Sequence, residues 1–494
     1  MAKTHKNRTK YSNTHSNASL KGGKVIGSGG FGCIFKPALK CKTGSGSKTQ
    51  GDNITKLMKK KYAIKEKMEV MKFNKLLKNI PNYSNYFLVD GFSLCEPAQL
   101  SREDLEDFNE KCNALRKMGL NDENINERES LSQLSALNMP YGGTDVSKFI
   151  DKNWHNSNKM IELNNSLILL LENGIVPMNE AGVFHCDLKS SNILAREEDG
   201  ALRTRLIDWG LSTTYLPGQA IPKVLTNRPF QYNVPFSNIL FTSLFTKMYK
   251  AFLQKHPTPD YYTLRTFVIN YVLEWVEQRG PGHLKTMNSI FKNLFEHDLG
   301  NMEESFKGEL IEYDFTFYFI FEYITKILVA FTKDGKFERE AYLSQVFMKN
   351  IDLWGFVVSY VPIVEDVLGA HKKLSTVQLN IIGKIKELLL LVIDANDHPI
   401  NVPQLVEKLN ELNSLFSHFK RTKNPNSSTP SPTSLPKKEL LDELNLTEKK
   451  ALLGLSAGSL SAGTRKKLKK RRFHKLMVKT LKNIKSLHSK RAWM

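Results

Sequence analysis

The chain has 494 residues, 41% of them hydrophobic and 24% charged, which excludes a disordered chain and leaves room for two or three core-bearing units. The net charge of +21 is concentrated at the ends: residues 1–24 hold six Lys and Arg, residues 465–494 hold thirteen, and neither segment holds an acid. The central part is left with about +2, so its charge does not by itself indicate a nucleic-acid or membrane partner.

In chain order, the pattern changes from disordered to strand-like to helical. Residues 1–23 are predicted to be a disordered basic N-terminus. Residues 24–100 are strand-like and punctuated by glycine, with one helical stretch at residues 61–79. Residues 101–137 are polar with helical spacing, which indicates an insertion. From Ser147 onward the pattern is typical of amphipathic helices.

The most apolar segment is FTFYFIFEYITKILVAF, residues 315–331. Glu322 and Lys326 interrupt it, and it is shorter than the ~20 residues that a membrane-spanning helix needs. We therefore expect a buried core helix and no transmembrane segment.

Residues 417–440 form a Pro/Ser-rich linker, and residues 441–494 form a basic C-terminal tail that contains the run KKLKKRR. Such a tail suits nucleic acid, an anionic membrane surface, nuclear import or an acidic protein partner, and it is equally typical of a solvated charge run. Its aromatic residues Phe473 and Trp493 are too few to indicate base stacking.

The five cysteines are Cys33, Cys41, Cys95, Cys112 and Cys186. They form neither a C-x-x-C pair nor a His/Cys spacing suited to zinc. The odd number, together with an N-terminus that lacks an apolar signal-peptide core, predicts a reducing compartment and no disulfide framework.

The segment VIGSGGFGCIF contains glycines in G-x-G-x-x-G order, a spacing that lets backbone amides approach phosphate oxygens. Dinucleotide-binding folds share this spacing, but there a helix follows directly. Here CIFKPALKC continues as an extended segment, which favours a strand–turn–strand phosphate lid. The candidate nucleotide-binding residues of this segment are Gly27, Ser28, Gly29, Gly30, Phe31, Gly32 and Ile34.

The strongest motif is HCDLKSSNIL, residues 185–194. Asp187 would accept the proton of a substrate hydroxyl, Lys189 would neutralise the transferring phosphoryl group, and Asn192 would hold a metal ion. Sixteen residues after Asn192, Asp208 of LIDWGLS would bridge a second metal ion to the nucleotide phosphates. The order and gaps of these motifs indicate phosphoryl transfer.

With these motifs the chain resembles the protein kinase superfamily over roughly residues 24–415. Lys189, two residues after the aspartate, is the pattern of serine/threonine kinases. The strings GSGGFGCIFKPALKC, ITKLM, MPYGG, IDWGLS and NRPFQYNVPFS together resemble the serine/threonine kinases of nucleocytoplasmic large DNA viruses, the giant viruses.

This resemblance implies an α+β, two-lobed protein-kinase-like fold. Residues 24–138 would form a β-rich N-lobe with an insertion, and residues 139–416 would form the hinge and a helical C-lobe. Asp352 of IDLWGFVVSY would anchor the catalytic loop from a central helix. Because that aspartate comes late in the chain, residues 241–345 are interpreted as a large helical insertion. The segment RPFQYNVPFS lacks the glutamate of the family's A-P-E motif.

The resemblance also implies a hinge at MPYGGTDV. Met139 and Pro140 would lie against the adenine, where proline can offer only its carbonyl. Gly142 would supply an amide to the adenine ring, and Asp145 would reach the ribose.

Two lysines compete for the phosphate-binding role. The YAIK string nominates Lys65, but after Glu69 no acid occurs before Asp90, so Lys65 would lack a partner on a following helix. The alternative has Lys56 on the strand and the next segment as the helix, with Glu66 or Glu69 as the partner. We favour Lys56 paired with Glu66.

Cys186 replaces the arginine that grips an activation-loop phosphate in many kinases, and cysteine cannot do this. The resemblance thus implies a serine/threonine protein kinase that uses ATP and Mg²⁺, or Mn²⁺, and is not controlled through that arginine. The alternatives are a pseudokinase or nucleotide-sensing scaffold whose basic tail binds nucleic acid, and a kinase for lipid or small-molecule hydroxyls. The implied location is the host cytoplasm or the virion, or the nucleus through KKLKKRR.

Overall fold

The computed structural model describes residues 23–42, 52–295, 315–370 and 374–418. The predicted disordered N-terminus up to residue 22, the linker beyond His418 and the whole basic tail lie outside these residues. The described part is a mixed α+β structure that is mainly helical and contains small antiparallel sheets. It divides into two compact units. The first consists of its residues up to Leu76 and Leu88–Gly142, and the second consists of Leu77–Phe87 and the residues from Gly143 onward.

The first unit is built on a five-stranded antiparallel sheet with the strand order β1–β2–β3–β5–β4. The strands are β1 (Lys24–Ser28), β2 (Gly32–Lys36), β3 (Asn53–Lys59), β4 (Ser93–Cys95) and β5 (Leu134–Pro140). β3 and β5 pair along their whole length, and their apolar side chains, such as Leu57 and Leu137, are completely buried. This pairing is the rigid centre of the unit.

Helix α1 (Lys60–Leu77) follows β3 directly and begins and ends close to the predicted stretch. Its buried side chains recur at helical spacing and are Ala63, Val70, Phe73 and Leu77. A second apolar stripe at helical spacing, Ile64, Met68 and Met71, lies on the opposite, solvent-exposed side. The helical spacing of apolar residues therefore predicted the helix but did not show which of its faces is buried.

Two disulfides tie the sheet of the first unit to the segments around it, which corrects the expectation of no disulfide framework. Cys33 of β2 is bonded to Cys112, and Cys41 is bonded to Cys95 of β4. The partners are 79 and 54 residues apart and follow no fixed spacing, so the sequence could not pair them. Cys186 is the one free cysteine, and it is buried.

The predicted insertion at residues 101–137 contributes to the core of the first unit. It contains three short helices, α2 (Phe108–Lys111), α3 (Asn113–Arg116) and α4 (Arg128–Ser132). Phe108, Leu115 and Ile125 are completely buried in one apolar cluster with Phe35 and Leu57 of the sheet. Because the segment is rich in polar residues, the sequence pattern did not show that it contributes to the apolar core.

The second unit is mainly helical. Its helices are α5 (Val146–Asn153), α6 (Ser157–Leu170), α7 (Val176–Glu180), α8 (Ser243–Lys255), α9 (Tyr261–Arg279), α10 (Leu284–Phe295), α11 (Phe315–Phe331), α12 (Arg339–Tyr342), α13 (Met348–Val358), α14 (Val361–Ala370), α15 (Thr376–Asp394) and α16 (Val402–Ser417). A π-helical turn precedes α7 at Leu171–Ile175, and another precedes α13 at Leu343–Phe347.

Small sheets complete the second unit. Their strands are β6 (Thr144–Asp145), β7 (Val183–Phe184), β8 (Ile193–Glu198), β9 (Ala201–Leu206), β10 (Thr213–Thr214), β11 (Thr332–Lys333) and β12 (Lys336–Phe337). β6, β8 and β9 form one antiparallel sheet, β7 pairs with β10, and β11 pairs with β12. The β8–β9 hairpin brings the chain before β8 next to the chain after β9.

Helix α11 coincides with the apolar segment that was predicted to be a core helix. Ile320, Ile324, Ile327 and Leu328 on it are completely buried, which confirms that prediction. Within the described ranges, the helices are either too short or too polar to cross a membrane.

Helix α13 lies at the centre of the second unit. All of its side chains except Lys349 are buried, including the carboxylate of Asp352. Gly355 allows the closest approach to a neighbouring segment, because a Cβ there would lie 2.5 Å from the carbonyl oxygen of Leu188. The helix is therefore a fixed support for the chain around residue 188.

Candidate functional site

The glycine turn (residues 27–32) joins β1 to β2 in the first unit. The amide of Gly29 donates to the carbonyl of Gly32 at 2.8 Å and closes the turn. Ser28 Oγ accepts a hydrogen bond from the Ala114 amide at 3.0 Å, so this predicted phosphate-binding side chain is used within the fold. Phe31 at the tip is 54% exposed.

Local packing requires only one of the four glycines in this turn. A Cβ at Gly32 would lie 2.6 Å from the carbonyl oxygen of Leu57, whereas a Cβ at Gly27 or Gly30 would meet nothing and one at Gly29 would make only ordinary contacts. None of the four adopts a left-handed backbone. Packing therefore does not require glycine at the other three positions, where the absence of a side chain leaves the backbone of the turn open to a ligand.

Lys56 lies on β3 and pairs with Glu66 of α1. Its Nζ is 2.8 Å and 2.7 Å from the two carboxylate oxygens, and both side chains are largely buried. The Lys56 Cε is 3.9 Å from where a Cβ at Gly29 would stand, so the lysine lies under the glycine turn. Lys65, the competing candidate, is 71% exposed on α1, with its Nζ 3.7 Å from Glu69.

The predicted adenine-binding positions lie at the end of β5 in the first unit. Met139 belongs to an apolar cluster whose members include Ile34, Ile54, Leu137 and Tyr141. Pro140 ends the strand opposite Asn53, and Gly142 is buried just beyond it. This end of the sheet offers an apolar face, and just beyond it the Tyr141 amide donates to the Asp52 carbonyl at 2.9 Å.

Asp145, the predicted ribose ligand, belongs to the second unit and caps helix α5. Its Oδ1 accepts the Lys148 amide at 3.0 Å, and its Oδ2 is 2.9 Å from the Lys148 ammonium. Two residues before it, Gly143 is required as glycine, because its φ is +101° and a Cβ would lie 2.1 Å from the carbonyl oxygen of Ala195. The helix cap fixes the Asp145 carboxylate, and ribose binding by it stays a prediction.

In the second unit, the Asp187 loop (residues 185–192) runs from β7 to β8. Asp187 Oδ1 accepts a hydrogen bond from Asn233 Nδ2 at 2.9 Å. Its Oδ2 accepts hydrogen bonds from Lys189 Nζ at 3.0 Å and from Asn192 Nδ2 at 3.1 Å. The loop thus brings two other predicted site residues, Lys189 and Asn192, into contact with the Asp187 carboxylate.

The environment of Asp187 keeps its carboxyl group ionised. Burial by itself would raise the pKa, but the hydrogen bond from Asn233 and the charge and hydrogen bond of Lys189 outweigh it. The pKa of Asp187 is therefore held below its usual range. This carboxylate is a stable hydrogen-bond acceptor and a weak base.

Asp352 of helix α13 holds the backbone of the Asp187 loop from beneath. Its Oδ2 accepts the His185 amide and the Asn179 side-chain amide, each at 2.8 Å, and its Oδ1 accepts the Cys186 amide at 2.8 Å. The carboxylate is completely buried, so these bonds are shielded from water. Asp352 has the anchoring geometry that was expected of it.

Cys186 stands where the resemblance would place an arginine, and its role in this loop is carried by its backbone. Its φ is +60°, an uncommon value for a residue other than glycine, and such residues persist only where neighbours enforce them. Asp352 holds its amide, and Arg228 Nη1 donates to its carbonyl at 2.8 Å. Burial and the nearby Asp352 charge raise the pKa of its thiol well above the usual value, so the thiol stays neutral.

Two further residues of the site, Arg228 and Asn233, were not predicted. Arg228 is buried, and its Nη2 lies 4.0 Å from Asp187 Oδ1. Asn233 also donates to the carbonyl of Leu188 at 3.0 Å. Both lie in RPFQYNVPFS, which was noted only for its missing glutamate, and no local pattern shows that it returns to Asp187.

The two predicted metal ligands are brought close by the β8–β9 hairpin. Asn192 precedes β8, Ile207 follows β9, and the Ile207 amide donates to the Asn192 carbonyl at 3.0 Å. Asp208, the next residue, is exposed and has a φ of +66°. A carboxylate and an amide oxygen are the hard ligands that Mg²⁺ and Mn²⁺ prefer. The described residues hold no cluster of three or more His, Cys, Asp or Glu suited to a metal ion.

A comparison of the sequence with protein-family models and with curated proteins gives no match.

Proposed function

We propose that the chain is a phosphotransferase with the two-lobed fold of the protein kinases, and that it transfers the γ-phosphate of ATP to Ser and Thr hydroxyls of proteins. The observation that carries this proposal is the Asp187 carboxylate, which accepts three side-chain hydrogen bonds on a loop fixed by the buried Asp352. Such a carboxylate can receive a substrate hydroxyl, and the lysine and asparagine beside it are residue types that phosphoryl transfer uses.

In this proposal residues 24–138 form the N-lobe and residues 139–416 form the hinge and C-lobe. The five-stranded sheet with α1 is the arrangement expected of the first, and a helical unit around α13 is the arrangement expected of the second. Helices α8 to α12 would be the predicted insertion at about residues 241–345.

The role of Asp187 follows from its low pKa. A weak base cannot remove a hydroxyl proton early, so Asp187 would orient the hydroxyl and accept its proton only as the new bond forms. Lys189, with its Nζ 3.0 Å from the carboxylate, would offset the charge of the transferred phosphoryl group. Catalysis would depend on positioning and charge.

Two orphaned polar atoms support a bound polar group beside Asp187. Among the described residues, Arg228 Nη2 and Asn233 Oδ1 are buried and have no hydrogen-bond partner. Buried polar atoms are rarely left unpaired, so each calls for an explanation such as a missing ligand. The hydroxyl and backbone of an acceptor peptide would supply a donor and an acceptor there.

The glycine turn, Lys56 and the apolar end of β5 would hold the nucleotide. The three glycines that packing does not require leave the backbone of the turn open to phosphate oxygens, and the Glu66 pair fixes the Lys56 ammonium under the turn. Asn192 and Asp208 would hold Mg²⁺ or Mn²⁺, which would neutralise phosphate charge.

We further propose that Cys186 reflects a kinase that is active without a phosphate gripped by this loop, because Arg228 and Asp352 already fix its backbone. The resemblance favours a viral enzyme of the host cytoplasm or nucleus or of the virion. Among these locations the two disulfides favour the virion, since disulfides persist outside the reducing cytoplasm. Nucleic acid or an acidic partner for the basic tail stays a proposal.

The test is transfer of labelled phosphate from Mg-ATP to casein, myelin basic protein and the chain itself. Asp187→Asn and Lys56→Met should each reduce transfer by about 10²-fold or more, whereas Lys65→Met, which alters an exposed lysine on the next helix, should leave it unchanged. ATP binding without transfer to any protein acceptor would contradict the proposal and favour a nucleotide-sensing scaffold. Transfer only to lipid or small-molecule hydroxyls would contradict the protein substrate.

A further inference from the structure

A cavity of about 570 Å³ opens on the surface of the second unit. Its wall is formed by the chain between Ile221 and Asn227, by the first two turns of helix α8 and by Arg339. The cavity has no role in the proposed phosphoryl transfer.

The lining of this cavity is cationic. Lys247 and Lys250 of α8 and Arg339 contribute side chains to it, and no Asp or Glu does. Within the described ranges, none of these three cations forms an ion pair with an acid, whereas Lys384 elsewhere in this unit pairs with Glu387. Three uncompensated positive charges around one concave surface attract a multiply charged anion.

Hydroxyl groups complete the lining. Ser243 and Thr246 lie on the same side of α8 as Lys247 and Lys250, because residues three, four and seven apart share a helix face. Arg339 Nη1 donates to Thr246 Oγ1 at 3.4 Å, which holds the guanidinium over this face. Because the Thr246 hydroxyl donates to the Thr242 carbonyl at 3.0 Å, the hydroxyl donor left for a ligand is that of Ser243. Arginine, lysine and hydroxyl donors together are the groups that bind the oxygens of a phosphate monoester.

The cavity wall is continuous with the Asp187 site. Asn227 lines the cavity, and the next residue, Arg228, donates to the carbonyl of Cys186. Five residues after Arg228, Asn233 reaches the Asp187 carboxylate. A peptide that follows this segment would have one side chain at the cavity and another at Asp187.

We propose that this cavity binds the phosphate of a phosphorylated Ser or Thr in a protein substrate, so that the enzyme prefers acceptors that already carry a phosphate. This inference rests on the proposed function. It deepens that function by naming the substrate class: a phosphate dianion offers two charges and three oxygens to the three cations, which a single carboxylate does not.

The test compares peptide pairs that differ only in a phosphate. A library of Ser-acceptor peptides, each with Thr or phosphothreonine at one fixed distance from the acceptor, is assayed with the full chain for kcat/KM. At the distance that spans Asn227 to Asp187, the phosphorylated member should be preferred by about tenfold or more. The double variant K247A/K250A should remove this preference while leaving kcat/KM for the unphosphorylated member unchanged. Lys255→Ala, an exposed lysine of the same helix that does not line the cavity, is the matched control and should keep the preference.

The outcomes separate this inference from the proposed function. Transfer to all peptides with no preference for a phosphorylated member at any distance overturns the inference and leaves the kinase proposal intact. If no peptide is phosphorylated, binding of a fluorescent phosphothreonine peptide still decides: loss of binding in K247A/K250A but not in Lys255→Ala supports the cavity, and equal binding by all variants overturns it. Inorganic phosphate that binds as tightly as the phosphopeptide would also overturn it, since the site would then recognise free phosphate only.

Discussion

The glycine turn of the first unit and the Asp187 loop of the second are built in opposite ways. The turn is closed by a hydrogen bond from the Gly29 amide and exposes Phe31. It contains three glycines that its packing does not need. The loop is overdetermined, with three donors on Asp187 and three more on the buried Asp352 beneath it. The difference suggests that the first region adapts to a ligand while the second holds reacting groups in one arrangement.

The largest effect is expected at Asp352, which fixes the backbone of the Asp187 loop. Asp352→Asn keeps the shape but turns an amide donor toward backbone donors inside the core, so we expect a loss of about 3–5 kcal/mol of folding free energy. Transfer activity should fall with it, because the backbone of His185 and Cys186 is released. Urea unfolding of the full chain measures the change, with the exposed Asp334→Asn as control. A variant as stable as the wild type would show that the loop does not need this anchor.

The disulfides should stabilise the first unit strongly, although three glycines of its turn are not required by packing. Removing the Cys33–Cys112 bridge with both residues changed to Ser should cost about 2–4 kcal/mol, because the bridge closes a long loop of the unfolded chain. Thermal unfolding with and without a reducing agent measures this. The wild type should lose stability on reduction, and the variant should lose only the part that Cys41–Cys95 contributes. Equal midpoints for oxidised and reduced wild type would contradict the pairing.

The glycines of the turn offer an internal control. Gly32→Ala should destabilise the first unit by about 1–3 kcal/mol, since its Cβ would collide with the Leu57 carbonyl. Gly30→Ala should leave stability within ~0.5 kcal/mol of the wild type, because its Cβ enters open space. The second change should instead weaken Mg-ATP binding, measured by calorimetry. Unchanged Mg-ATP affinity in Gly30→Ala would show that nucleotide binding does not explain these glycines.

The smallest effect is the pH dependence contributed by Asp187. Its folded-state pKa lies below the unfolded value of 3.8, so its contribution to stability is fully present above that value and is lost as the pH falls through the lower folded-state pKa. The difference in unfolding free energy between wild type and Asp187→Asn should therefore be constant near neutral pH and shrink only below about pH 3.8. A difference that shrinks between pH 5 and 7 would mean a raised pKa.

The sequence predicted local features better than long-range ones. Apolar periodicity after ITKLM indicated that residues 61–79 form a helix and that Lys56 precedes it, and the structure pairs Lys56 with Glu66. Which face of that helix is buried depended on packing that periodicity does not contain, and the stripe at Met68 is exposed. The Asp187 loop and Asp352 could be identified in the sequence because their residue types occur in the order of the kinase motifs that the chain resembles.

What was missed depends on contacts between distant residues. The Cys33–Cys112 pairing spans 79 residues, and Asn233 reaches Asp187 from 46 residues away. A single asparagine or cysteine has no local signature, because its role is set by where the tertiary fold carries it. The same is true of the cationic cavity, whose arginine at position 339 is far in sequence from the lysines of α8.

The most direct test of the central claim is a steady-state measurement of kcat and of KM for Mg-ATP in two variants, Gly30→Ala and Asp187→Asn. If the first unit binds the nucleotide and the Asp187 loop performs the transfer, Gly30→Ala should raise KM several-fold with little change in kcat. Asp187→Asn should lower kcat by about 10²-fold or more with KM nearly unchanged. Wild-type transfer by Asp187→Asn would contradict the account, since the carboxylate around which the loop is built would then have no part in the reaction.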